Sequence, residues 1–183
     1  MQPNRNLAQS FRVVLTLVIA AALTACAVPF PVYTVSSSNI TAIRSGERPL
    51  ELGTFSGDTT VVSCRLQQIS PEGGKTFAQY IRSAFNDELV IAGNTSTKQK
   101  VPLNIKLTYI DVSCNALDSR WEIDLEVSVP GQEAFTVKTL RRFDYNFLGG
   151  VMLPRAYQAF VPTVQEAVAN VLTHPTVRKA QSQ

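Results

Sequence analysis

Three cysteines, one histidine and a few charged clusters are the residues of this 183-residue chain whose types and spacing could do chemistry. Cys64 and Cys114 have no second cysteine or histidine at metal-ligand spacing, so no zinc site is expected. His174 lies between Thr173 and Pro175 at a helix end, where a C-cap role suits it better than general-base work, and no Gly-x-Ser-x-Gly elbow accompanies it. Gly74-Lys75-Thr76 ends like a phosphate-binding loop, but that loop needs a glycine five residues before Gly74 and the position is Ile69. Asp118, Glu122, Asp124 and Glu126 would hold calcium only if brought together; the last three alternate along one strand and read as a solvated face. Arg141 and Arg142, followed by Phe143, Tyr145 and Phe147, are a candidate contact for a lipid headgroup, a glycan or a partner protein, through Arg141, Arg142, Tyr145 and Phe147. The plainer use of Phe143 and Tyr145 is to complete a core. With no catalytic set, no metal and no cofactor in view, the chain is not expected to be an enzyme.

Charged residues make up only 17% of the chain, partly because it holds an apolar run from Val13 to Ala22. The net charge of +3 includes Arg5 and Arg12; beyond residue 25 the balance is 15 basic against 14 acidic residues, or +1. Basic residues dispersed among acidic ones give no phosphate-binding surface, so nucleic acid is not an expected partner. Residues 1–12 carry Arg5 and Arg12 without an acidic residue, Val13 to Ala22 is apolar apart from Thr16, and Leu23-Thr24-Ala25-Cys26 follows at once. This order of basic, apolar and small residues is that of an export signal, and the apolar run is too short for a hydrocarbon core of about 30 Å.

Leu23-Thr24-Ala25-Cys26 resembles the lipobox of bacterial lipoproteins at all four positions. The resemblance implies cleavage between Ala25 and Cys26, acylation of Cys26, and a stable anchor, because several acyl chains at about 0.8 kcal/mol per buried methylene hold where one is marginal. Ala27 after the cysteine, rather than Asp, implies the periplasmic face of the outer membrane. If lipidation takes Cys26, Cys64 and Cys114 remain as an even pair in an oxidising compartment, either bonded to each other or as two buried thiols. A bond would close a loop of about 50 residues and contribute roughly 4 kcal/mol on the chain-entropy account.

The elements that must position these residues follow from periodicity. Residues 26–48, with Pro29, Pro31 and the run Ser36-Ser37-Ser38-Asn39, read as a lipid-anchored tether holding at most a short strand around Val32 to Val35, and 49–177 as the folded domain. Pro49 to Phe55 and Thr59 to Ile69 read as strands joined in a hairpin by Ser56-Gly57-Asp58. Thr76 to Ala92 is a helix with Phe77, Ile81, Ala84, Phe85 and Leu89 on one face, a capping box from Thr76 and Gln79, and a stop at Gly93.

Leu103 to Tyr109 alternates, then shifts phase to Ile110, Val112 and Cys114, as a bulge would produce. Trp121 to Val129 alternates without a break, and Phe135 to Tyr145 is a further strand whose Lys138 and Arg142 share a parity and face the carboxylates of the preceding strand. After a loop at Asn146 to Pro154, Arg155 to Thr173 is a second helix that either kinks at Pro162 or properly begins there, ended by Pro175; residues 178–183 read as a frayed tail. The expected fold is α+β, an antiparallel sheet of about four to five strands with two helices on one face.

That order of elements resembles the YajG-like class of small periplasmic lipoproteins and, more loosely, lipopolysaccharide-assembly and lipid-transport auxiliary lipoproteins. The likeness rests on layout across residues 50–175, on Phe85-Asn86-Asp87-Glu88-Leu89 leading into Ala92-Gly93, on Leu103-Asn104-Ile105 and on the helix before His174-Pro175. It implies a non-enzymatic binding or accessory role in the envelope, with the membrane and an envelope protein, lipid or glycan as partners. A structural envelope lipoprotein without a specific ligand is the alternative.

Overall fold

The structure is a computed structural model that describes residues 29–93, 99–144 and 152–183. In chain order its elements are α1 (Ser37–Arg44), β1 (Leu50–Ser56), β2 (Val62–Cys64), β3 (Gln67–Ile69), α2 (Phe77–Ile91), β4 (Val101–Cys114), β5 (Ser119–Ser128), β6 (Phe135–Arg142), α3 (Met152–Thr173) and α4 (Pro175–Gln181). A four-stranded sheet in the order β1-β4-β5-β6 has helices packed on one face, and β2 and β3 form a separate hairpin. The fold is α+β, as the periodicity predicts.

The dry face of the sheet is the predicted one. Trp121, Ile123, Leu125 and Val127 of β5 are wholly buried, and the apolar stripes of α2 and α3 close over them. The Trp121 indole N–H donates to the Ala156 carbonyl at 2.7 Å, which satisfies the one polar atom of a wholly buried ring. Thr76 and Gln79 form the predicted capping box at 3.0 and 2.9 Å, and Gly93 takes the left-handed conformation with φ 69°. On the open face, Lys138 meets Asp124 at 3.5 Å and Arg142 approaches Asp118, as their shared parity predicts.

Four features differ from expectation. First, Ser56-Gly57-Asp58 makes no hairpin: β1 lies parallel to β4, with Leu50 opposite Val101, so the sheet is mixed. Parallel neighbours need a crossover rather than a tight turn, and α2 lies on that crossover. Gly57 serves close approach, since a side chain there would press on Leu107 and Ala78. Second, the bulge in β4 falls at Thr108, between Leu107 opposite Leu125 and Tyr109 opposite Asp124, so Tyr109 turns to the open face.

Third, the run Thr59 to Ile69 is two short strands, with a reversal at Arg65-Leu66. Fourth, both flanks are packed. The segment expected as a tether carries α1 and the buried Phe30 and Ile43. The expected frayed tail, 178–183, instead carries the second half of α4, with Ala180 and Gln181 buried beside Val177. Pro175 begins α4 rather than only ending α3, because its fixed φ and missing N–H suit the first helical turn, and His174 is the N-cap of α4 rather than a C-cap of α3, its ring nitrogen accepting from the Thr176 N–H at 3.3 Å.

Candidate functional site

Cys64 and Cys114 are bonded to each other, across a sequence separation of 50 residues. Cys64 closes β2 opposite Gln67, and Cys114 ends β4 opposite Ser119, so the bond staples the β2–β3 hairpin to the end of the sheet where β5 begins. Arg65, in the hairpin reversal, has φ 57°, a conformation most side chains avoid, and its Nε donates to the Cys114 carbonyl at 2.9 Å. Two turns therefore sit beside the bond. Each presents a leucine: Leu66 is 101% and Leu117 99% exposed. The second turn is held by Asn115, whose Oδ1 accepts from the N–H groups of Leu117 and Asp118 at 3.1 and 2.7 Å.

The segment after Cys26 reaches the same end of the molecule. Arg44 at the C-terminus of α1 donates to the Ala92 carbonyl just past α2. From there back to Phe30 the chain runs along α2 toward its N-terminus, where the Phe30 ring meets Phe77, Tyr80, Tyr157 and Phe160 edge-on at 5.0 to 6.0 Å. Phe77 and Phe160 in turn lie against Trp121, two residues from the Ser119 that pairs with Cys114. Phe30 is 6% exposed, so the described chain begins docked in an aromatic cluster.

Midway along this strap is Glu88 of α2, wholly buried. Its Oε1 accepts from the Tyr33 hydroxyl at 2.6 Å, the Ser36 N–H at 2.8 Å and the Asn39 amide at 3.2 Å. Burial and the Glu88 carboxyl push the Tyr33 phenol well above its ordinary range, so it stays a proton donor. Burial does the same to Tyr80, whose hydroxyl donates to the Pro31 carbonyl at 2.9 Å. A cleft of about 190 Å³ opens beside the strap, lined by Pro31, Val32 and Tyr33 on one side and Pro71, Glu72 and Lys75 on the other.

Of the residues singled out for chemistry, Ala25, Cys26, Tyr145 and Phe147 lie outside the described residues. Arg141 and Arg142 are exposed on opposite faces of β6, as neighbours on a strand must be: Arg141 reaches Glu166 of α3 at 3.2 Å, and Arg142 turns to Asp118. They do not form one patch. Phe143 packs against the core, and its N–H donates to the Ser119 carbonyl. His174 stacks on Phe135 with ring centroids 3.6 Å apart, at the far end of the sheet from the disulfide. Among the described residues no group of three or more His, Cys, Asp or Glu is placed to hold a metal ion.

Leu66, Leu117 and Phe30 are the residues that periodicity overlooked. The available signal was a leucine within a turn sequence, between Asn115 and Asp118, and an aromatic between Pro29 and Pro31. No family model, curated protein or solved structure matches this chain, so its role has to be read from its own residues.

Proposed function

We propose that this chain is an envelope lipoprotein, anchored by acyl chains on Cys26 to the periplasmic face of the outer membrane, whose domain is a non-enzymatic binding or accessory module. The observation that carries the reading is how the cysteines are used. Cys64 and Cys114 close on each other, which leaves Cys26, at the end of Leu23-Thr24-Ala25-Cys26, as the one thiol without a partner cysteine. A bonded pair inside the domain suits an oxidising compartment, and a thiol left over at the end of an export signal suits lipidation.

The test is intact mass of the protein from membranes of its host, wild type beside Cys26→Ser, with and without reductant. The expected wild-type mass starts at Cys26 with its acyl chains and gains two hydrogens on reduction. An unmodified chain in the wild type would overturn the reading.

A further inference from the structure

The end of the molecule that carries the disulfide is also the end where the described chain begins, with Phe30 docked beside it, and where two leucines stand wholly in solvent. We propose that this end lies flat on the lipid surface, with Leu66 and Leu117 inserted among the headgroups and upper acyl chains. The proposal rests on acylation of Cys26.

Phe30 lies four positions beyond Cys26, and four fully extended residues span at most about 14 Å. Because Phe30 is fixed in the aromatic cluster, an anchor on Cys26 would hold this end against the bilayer rather than let the domain range at the end of a long tether. The strap runs along α2 toward Phe77, so the chain is already heading to this end where the described residues begin.

Single exposed leucines are ordinary on a protein surface. These two differ in their setting. Both occupy turns, where polar residues and glycine are usual; the Cys64–Cys114 bond joins their turns; and Val32 of the strap adds a further exposed apolar side chain. Burying a leucine side chain at the headgroup boundary is favourable in the same way as burying it in a core, and two such contacts beside a covalent lipid fix an orientation that the lipid alone leaves free.

The test uses the acylated protein from membranes, starting at Cys26, in phosphatidylethanolamine–phosphatidylglycerol vesicles whose acyl chains carry bromine, a short-range quencher of indole fluorescence. Leu66→Trp and Leu117→Trp are compared with Val90→Trp, an exposed position near the C-terminus of α2, with the buried Trp121 as common background. The proposal expects quenching at 66 and 117 several-fold greater than at 90. A second readout avoids substitution: backbone hydrogen exchange of the wild type at residues 65–66 and 116–118 is expected to slow on vesicles relative to detergent. Equal quenching at all three positions with unchanged exchange, in a chain that floats with the vesicles, would overturn the docked end alone. A chain without acyl mass that fails to float would overturn the anchor and the docked end with it.

Discussion

Two buried side chains hold the flanks of this domain, and they do it differently. Glu88 gathers the N-terminal strap onto one oxygen, with Tyr33, Ser36 and Asn39 as its three donors; among the described residues its other oxygen accepts nothing. Gln181 shares its work. Its amide donates to the Arg48 carbonyl at 3.0 Å, its own backbone carbonyl accepts from the Arg48 N–H at 3.1 Å, and Arg178 adds bonds to the Ala42 carbonyl, the Ser45 hydroxyl and the Gln181 oxygen. Glu88 concentrates three bonds of the strap on one oxygen, beside the Phe30 cluster, the Tyr80–Pro31 bond and a Gln165–Thr34 bond at 2.7 Å, whereas the bonds of α4 are spread over several groups, so one substitution removes more at Glu88 than at Gln181.

The largest effect is therefore expected at Glu88. Replacing Glu88 with Ala leaves the half-buried Tyr33 and Ser36 donors unsatisfied and the Asn39 amide with only its bond to the Gln165 carbonyl, and is expected to cost about 2 to 3 kcal/mol, at about 1 kcal/mol or somewhat more for each donor left without a partner. A urea titration measures the loss, and hydrogen exchange at the Ser36 amide should rise well beyond what the global loss explains. If Ser36 exchange tracks global unfolding only, Glu88 does not hold the middle of the strap by itself and the contrast with Gln181 fails.

A smaller effect is expected at Gly46, where a side chain would collide with the Gln181 amide. Gly46→Ala should cost about 2 kcal/mol, as overpacking at a buried contact does. Because the Gln181 bonds are spread over several partners, Gly46→Ala combined with Gln181→Ala should recover part of that loss, and a double-mutant cycle would read the coupling. Additive costs would show that the two sites do not meet as described.

The smallest is Thr76→Ala, which removes the capping box of α2 away from both locks and should cost about 1 kcal/mol with no change in Ser36 exchange. It sets the scale for a helix weakened at one end without release of either flank.

What sequence could and could not reveal follows the range of each signal. The α2 stripe, its caps and the alternation of β5 are local, and residues from Thr76 to Gly93 and from Trp121 to Val129 carry them in plain view. The parallel pairing of β1 with β4 is not local: Leu50 meets Val101 across the hairpin and α2, and Ser56-Gly57-Asp58 has turn chemistry for a reversal that tertiary packing overrides. The flanks misled for a related reason. Phe30 between two prolines and Ala180 in a polar tail look loose until their partners, Phe160 and the body of the fold, are brought beside them. At the candidate site the disulfide was legible as an even pair. The exposure of Leu66 was not, because the run Thr59 to Ile69 reads as one unbroken strand and hides the reversal at Arg65.

The reach of α4 also sets an order in time. Arg178 binds Ala42 from 136 positions away, and Gln181 binds Arg48 from 133. A chain delivered N-terminus first presents α1 long before those partners exist, and contacts so distant in sequence form late. Ala42 and Arg48, at the end of α1 and just after it, thus wait longest for their partners, and deleting residues 175–181 would leave their carbonyls without the Arg178 and Gln181 donors while Arg44 still ties α1 to Ala92.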